Sequence, residues 1–335
     1  MSLKHTITTT ALIATFFIAP FAHAQEQRFT DVPVDHLYYK PIEYFAALGA
    51  IEGYKDANNK LSFKPNQKVN RAEAIKMILS TSSKTRTLEK AIAKDVFPDV
   101  KAKEWYAPFV KKAKEEGIVK GNDKTGLFDP SKSVLKNELL KMGLLANSLS
   151  VDSILKELPG ENIGSEVPQS AWFYSYVLFA KEYGIIYPTS NGKLEPGKEL
   201  TRGEVAEVLY NIAKITKGGP TQEMLSRTEA KIFSAITKIN AADYDSAVSE
   251  IKKGQTYAER ALLLSPSETI VQEAQAITTG YSLTIQGFSL WKKDKNPTAA
   301  KQKALDAEKI IEPVSHLGEL KKSLEALIAL VKAAK

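Results

Sequence analysis

The chain has 335 residues, 43% hydrophobic and 25% charged, with a formal net charge of +7 and no cysteine. That length suits two domains; the missing cysteine excludes disulfides, thiolate catalysis and most structural zinc sites, and the four histidines leave little for a histidine triad or metal centre. The positive charge is mild and mixed with acids, unlike the clustered cations of a nucleic-acid-binding face. No nucleic-acid partner is expected, and an anionic polymer is accommodated only where a few cations converge.

The N-terminus reads as a secretion signal. Lys4 and His5 make a short polar start, Ala11-Leu12-Ile13-Ala14-Thr15-Phe16-Phe17-Ile18-Ala19 an apolar core too short to span a bilayer comfortably, and Ala22-His23-Ala24 a small-x-small cleavage site. The expectation is a leader over 1–24 and a secreted mature chain from Gln25 with no membrane contact after cleavage.

One spaced pattern then recurs three times. Phe29-Thr30-Asp31-Val32, Phe97-Pro98-Asp99-Val100 and Gly164-Ser165-Glu166-Val167 align on their acids. A bulky residue follows each acid at one fixed distance (Leu37, Trp105, Trp172), and a glycine follows that at another (Gly49, Gly117, Gly184). Further on a cation precedes a glutamate: Arg71-Ala72-Glu73, Lys136-Asn137-Glu138 and Arg202-Gly203-Glu204. Fixed spacing through three copies means one supersecondary unit packed against itself. The repeats are expected over 28–80, 96–147 and 162–215, joined by the polar segments 80–85 and 159–162. Lys217-Gly218-Gly219-Pro220 punctuates the chain and marks the expected boundary to a second domain over 220–335.

Each repeat reads as helix, loop, helix. Pro41 and Pro108 suit an opening turn, and Gly49, Gly117 and Gly184 fall where a left-handed C-cap is needed. The loop holds Gly53-Tyr54 and Phe63-Lys64-Pro65-Asn66 in repeat one, Gly121-Asn122 and Phe128-Asp129-Pro130 in repeat two. Asn70-x-x-Glu73 and Thr201-x-x-Glu204 are capping boxes; repeat two has Leu135 at the cap.

These residues resemble the S-layer homology (SLH) domain. Phe29-Thr30-Asp31-Val32-Pro33, His36, Gly49-Ala50-Ile51-Glu52-Gly53-Tyr54, Phe63-Lys64-Pro65-Asn66 and Val69-Asn70-Arg71-Ala72-Glu73 follow its consensus closely. Repeat two has Lys136 for arginine; repeat three has Glu166 for aspartate and Tyr187-Pro188 for Gly-Tyr. The resemblance implies a pseudo-threefold unit that docks a secreted protein onto cell-wall polysaccharide, often one bearing pyruvate ketals, with grooves between adjacent repeats. It also implies that the arginine of the Arg-Ala-Glu motif is the recognition residue.

The chemistry of these residues fits. A cation in a first helical turn sits beside free N–H groups and the positive end of the helix dipole, a place for a carboxylate or phosphate. Arg71 and Arg202 can grip a carboxylate bidentately, whereas Lys136 offers a point charge. Trp105 and Trp172 either line the core or offer an apolar face to a sugar ring. Asp31 and Asp99 either accept sugar hydroxyls or fix a turn, and Gly53, Tyr54 and Gly121 complete the candidate glycan-binding set. Repeat one carries the fullest set, so Arg71 is expected in the strongest of at most two sites. Phe29, Phe63, Phe97 and Phe128 read as core and His36 as a structural motif residue. Asp56-Ala57-Asn58 begins like a calcium loop but lacks the glycine and final glutamate, so no metal or cofactor is expected.

Beyond residue 220 helical periodicity dominates. Ile270, Ala274, Ile277, Tyr281, Phe288 and Trp291 mark one stripe and Leu317, Leu320, Leu324, Leu327 and Val331 another, with Pro266, Pro297 and Pro313 at the breaks. About five helices in antiparallel hairpins are expected. Asp243-Tyr244-x-x-Ala247 and Ala261-Leu262-Leu263-Leu264-Ser265-Pro266 resemble part of a tetratricopeptide repeat; a plain bundle is the alternative. The fold class is thus mainly α: a pseudo-threefold bundle of three helix-loop-helix SLH repeats followed by an antiparallel helical hairpin domain. The functional expectation is a non-enzymatic, secreted cell-surface protein anchored to an anionic wall polysaccharide, with 220–335 free to meet a protein partner. An extracellular scaffold that binds only proteins, and a wall hydrolase with its catalytic unit in the last third, are the alternatives.

Overall fold

A computed structural model describes residues 27–82, 88, 92–157, 160 and 162–334. The expected leader and part of both polar connectors lie outside the described residues. The chain is mainly α. Repeat one contributes α1 (Tyr39–Ala47), a short antiparallel hairpin β1 (Tyr54–Lys55) and β2 (Leu61–Ser62), and α2 (Arg71–Thr81). Repeat two contributes α3 (Ala107–Glu115) and α4 (Lys136–Ala146), followed by a short α5 (Asp152–Glu157). Repeat three contributes α6 (Tyr174–Glu182) and the start of α7 (Arg202–Asn240); α8 (Tyr244–Leu264), α9 (Thr269–Lys292), α10 (Pro297–Ile311) and α11 (Gly318–Lys332) follow. The chain forms two compact units, Ala22–Ala180 with Lys193–Ala213, and Lys181–Gly192 with Lys214–Lys335.

Local chemistry sets the element ends. Gly49, Gly117 and Gly184, at φ +66°, +68° and +65°, end the first helix of each repeat in the left-handed region. Asn70 Oδ1 accepts from the Glu73 amide while Glu73 returns a carboxylate oxygen to the Asn70 amide, both at 2.9 Å. In repeat two only the return bond survives, from the Leu135 amide to Glu138 at 3.0 Å, because leucine has no acceptor. Lys217-Gly218-Gly219-Pro220 does not break the chain as expected: α7 is one helix from Arg202 to Asn240. Proline removes one N–H and strains one turn; 39 residues of helix, packed in both units, outweigh that local cost.

A closed ring of backbone hydrogen bonds joins the repeats. The Val69 amide donates to Leu200 (3.1 Å), Leu200 to Val134 (3.1 Å), and Val134 to Val69 (2.9 Å). All three residues are buried. Around this ring each second helix plugs into the next repeat. The first two amides of α2 donate to the Lys132 and Pro130 carbonyls, those of α4 to Lys198 and Pro196, and those of α7 to Gln67 and Pro65. The first-turn N–H groups expected to be free for an anion are therefore already used by the neighbouring loop.

The cations follow the same cycle. Arg71 Nε donates to the Phe128 carbonyl (2.8 Å), Lys136 Nζ to Leu194 (2.6 Å), and Arg202 Nε to Phe63 (2.9 Å). Each arginine also lies over the ring of the residue it bonds, at 4.9 Å for Arg71 on Phe128 and 4.6 Å for Arg202 on Phe63. Lys136 meets a leucine, with no ring for a guanidinium plane to cover. Burial pushes the Lys136 ammonium below its ordinary pKa.

The acid that opens each repeat holds the receiving loop. Asp31 accepts from the Phe63 and Lys64 amides, both at 2.7 Å, and Asp99 from Phe128 and Asp129 at 3.0 and 2.7 Å. Glu166 accepts from Leu194 and Glu195. Lys64, Asp129 and Glu195 all sit at positive φ (60°, 58°, 50°). A non-glycine residue there costs roughly 1–2 kcal/mol, which the charge-assisted bonds offset.

The helical unit buries apolar faces of α8–α11 and the second part of α7. Small residues bring its helices close: a Cβ at Gly280 would meet Ile311 and Leu324 within 2.8 Å. Glu273 of α9 accepts from the Ser315, His316 and Leu317 amides and so holds the turn that leads into α11, whose N-cap is Leu317. The segment Lys181–Gly192 of repeat three belongs to this unit. Tyr187 packs on Phe233 with ring centroids 4.6 Å apart, and Arg227 lies between the rings of Tyr183 and Tyr257. Lys231 is buried between Glu182 and Glu250. Burial alone would push the Glu250 carboxyl up, but Lys231 and Lys253 outweigh it and hold it down at about 2.

Two outcomes are expected. Arg202→Ala strands the Phe63 and Glu52 carbonyls, which now accept at 2.9 and 3.1 Å, and costs about 2–4 kcal/mol in urea denaturation; Arg202→Lys recovers part of it. Glu250 is ionised in the fold below its unfolded pKa, so its contribution is present above about pH 4.5 and is lost as pH falls through about 2. Glu250→Gln should lower protection of α8 amides at pH 7 by about 3 kcal/mol, and make that protection flatter between pH 5 and 2, as read by hydrogen exchange.

Candidate functional site: a groove built from three repeats

A cavity of about 470 Å³ opens in the repeat unit. Arg71 of repeat one, Ile118–Asp123 and Leu127–Asp129 of repeat two, and Trp172 and Tyr176 of repeat three line it, with Lys132, Glu138, Lys141 and Met142. Four cations (Arg71, Lys120, Lys132, Lys141) face three acids (Asp123, Asp129, Glu138). Arg71 is positioned by its bond to Phe128 and by an ion pair with Glu138 at 2.8 Å. Its side chain keeps 13% exposure. Lys141 Nζ lies 5.4 Å from the Trp172 ring centre. Such a place offers an exposed aromatic face beside cationic hydrogen-bond donors.

Of the residues singled out in the sequence, Arg71, Gly121 and Trp172 meet here, each from a different repeat. Arg202 goes elsewhere, to the loop of repeat one: it stacks on Tyr54 (5.0 Å) and Phe63 and is only 7% exposed. The sequence groups Arg71 with Gly53-Tyr54 of its own repeat; the structure corrects this, because each cation crosses to the next repeat. Lys136 is turned onto Leu194. Asp31 and Asp99 use both carboxylate oxygens on loop amides. Trp105 and Trp172 are not core residues: they are 54% and 55% exposed, and Leu37 at the same position is 51% exposed. His36 Nδ1 accepts from the Tyr38 amide. Asp56 holds a turn through the Asn58 and Lys60 amides, and among the described residues no group of acids or histidines is arranged to hold a metal.

The glycines have a steric reason. A Cβ at Gly53 would come within 2.5 Å of the Phe29 ring and 2.8 Å of the Ser62 carbonyl; one at Gly121 would come within 2.6 Å of the Gly126 carbonyl and 3.2 Å of Phe97. In repeat three Gly164 stands where Phe29 and Phe97 stand, and Pro188 stands where Gly53 and Gly121 stand. Lys120 and Lys141 were not singled out by sequence. The signal available was that Lys120 stands where repeat one has Glu52, before the same glycine.

Residues 28–75, 96–139 and 167–206 match the S-layer homology domain. The chain carries three S-layer homology domains. It is 27% identical over 248 residues to an S-layer protein of Bacillus thuringiensis subsp. finitimus, and 26% identical over 247 residues to the S-layer protein sap of Bacillus anthracis. Each match covers 70% of this chain and 28% of the relative. An amylopullulanase of Thermoanaerobacterium thermosulfurigenes is 28% identical over 204 residues, 59% of this chain and 10% of that enzyme. The chain thus spans about a quarter of the length of the S-layer relatives. The three domains and these relatives indicate a secreted protein located at the cell surface. Among the described residues no helix is long and apolar enough to cross a membrane.

Gly121→Ala tests the steric account. The new methyl group meets backbone, which cannot swing aside, so the variant should lose about 1–3 kcal/mol of stability in urea denaturation. Pro188→Ala, in the repeat that has Gly164 in place of the aromatic ring, should lose under about 1 kcal/mol.

Proposed function

We propose that the repeat unit anchors this protein non-covalently to an anionic wall polysaccharide, pyruvylated or otherwise acidic, and that the helical unit is presented to protein partners. The observation that carries the reading is the composite cavity, where exposed Trp172 stands beside Arg71, Lys120 and Lys141. An aromatic face with several converging cations is complementary to a sugar bearing a carboxylate. Arg71, Gly121 and Trp172 are proposed as glycan-lining residues. Arg202, Lys136, Asp31, Asp99, Gly53 and Tyr54 serve by building the repeats into one body, and Trp105 is an exposed aromatic for a second, weaker site.

The division of labour is proposed to follow the compact units rather than a cut at residue 220. The S-layer relatives support a non-enzymatic role, and the likeness to the amylopullulanase extends over only a tenth of that protein. An anchor fragment ending at Gly219 would remove Phe233, Lys231 and Glu250 from the Lys181–Gly192 segment, so the test uses the full mature chain. It should co-sediment with purified cell walls and fail to do so with walls stripped of their acidic polysaccharide. Trp172→Ala should weaken sedimentation at least about ten-fold with unchanged circular dichroism, because an exposed side chain contributes little to the fold. Equal binding to native and stripped walls would refute the reading.

A further inference from the structure

Two cations of the cavity differ in their partners. Arg71 is neutralised by Glu138 at 2.8 Å and committed to the Phe128 carbonyl. Lys141 has no hydrogen bond or ion pair among the described residues; its contact is with the face of Trp172. Burial, then the like charge of Lys120, push the Lys141 ammonium below its ordinary pKa, while Asp123 acts the other way and Arg71 adds to the depression. Asp123 is itself paired with Lys120 at 2.9 Å, in an exposed bridge that contributes little.

Repeat one provides an internal comparison. Lys76 stands at the same distance after Arg71 as Lys141 after Lys136, and Glu52 stands before Gly53 as Lys120 stands before Gly121. Lys76 and Glu52 form an ion pair at 3.6 Å. In repeat two the same two positions hold like charges. Two cations beside an aromatic face in a cavity are unfavourable alone and are relieved by a bound anion.

We propose that Lys141, with Lys120 beside it, seats the anionic substituent of the glycan against Trp172, and that Lys141 rather than Arg71 selects an acidic over a neutral sugar. This rests on the glycan reading above and assigns its specificity. Arg71 is then a positioning residue that holds the cavity wall.

The test is calorimetric titration of the full mature chain with two probes: a defined pyruvylated oligosaccharide and its unpyruvylated counterpart. The wild-type protein should prefer the acidic probe. Lys141→Gln should weaken the acidic probe ten- to hundred-fold, the effect of losing a charge-assisted hydrogen bond, and leave the neutral probe within about two-fold. Lys76→Gln should move neither by more than about two-fold. Lys141→Gln that binds the acidic probe like wild type, or weakens both probes equally with native circular dichroism, overturns the assignment to Lys141 alone. Wild-type protein that binds neither probe overturns the glycan reading together with it.

Discussion

Three backbone amides at the centre of the repeat unit constrain everything around them. Val69, Val134 and Leu200 are buried, and each passes its N–H to the carbonyl of another in a ring that closes only with three members. A buried amide without a partner is costly, so no repeat satisfies its own axis residue. The helix that follows each axis residue inherits a fixed direction, and its first two N–H groups end on the neighbouring loop. The cation at the next position must reach across as well. An arginine read from sequence as an open recognition residue is therefore first an inter-repeat tie. This also explains why repeat three keeps Leu200-Thr201-Arg202 while it departs from the pattern elsewhere: losing them would unsatisfy the other two repeats.

A function follows from that geometry. Because each cation crosses to the next repeat, a groove is assembled from one repeat's second helix, the next one's loop and the third one's first helix. Arg71, Gly121 and Trp172 are far apart in sequence and share one cavity. A single repeat does not hold this cavity. On the proposed reading, ligand affinity is linked to the closure of the ring, and binding energy gained in the cavity would also stabilise the three-membered assembly.

Much of the fold was legible because it depends on spacing. The glycine C-caps, the capping boxes at Asn70 and Thr201, and the apolar stripes of α9 and α11 are local or periodic signals. The continuity of α7 through Gly218-Gly219-Pro220 was not, because packing of both ends of a long helix overrides a local breaker. The site was half legible. Arginine, glycine and tryptophan were the right residue types, but sequence order suggested that neighbours in one repeat share a site. The crossing that redistributes them is a tertiary fact. The exposure of Trp105 and Trp172 was equally invisible, since an aromatic at a helix start reads the same whether it fills a core or faces a ligand. Lys141 carries no motif, and only the change from Glu52 to Lys120 hinted at its environment.

The departures of repeat three are not independent losses. Gly164 stands where the other repeats have the ring that a Cβ at Gly53 or Gly121 would approach, and Pro188 stands at the glycine position. Leu194 replaces the phenylalanine on which a guanidinium would stack, and the cation that reaches it is Lys136. Tyr187, at the position of Lys120, turns its ring onto Phe233, and Glu182 at the end of α6 is ion-paired with Lys231. Tyr187 and Glu182 thus supply features of helical packing. The segment Lys181–Gly192 has become part of the helical unit, while the axis, the clamp through Glu166 and the tie through Arg202 are retained. One repeat thus keeps the interactions that close the ring while its outer loop packs with the helices.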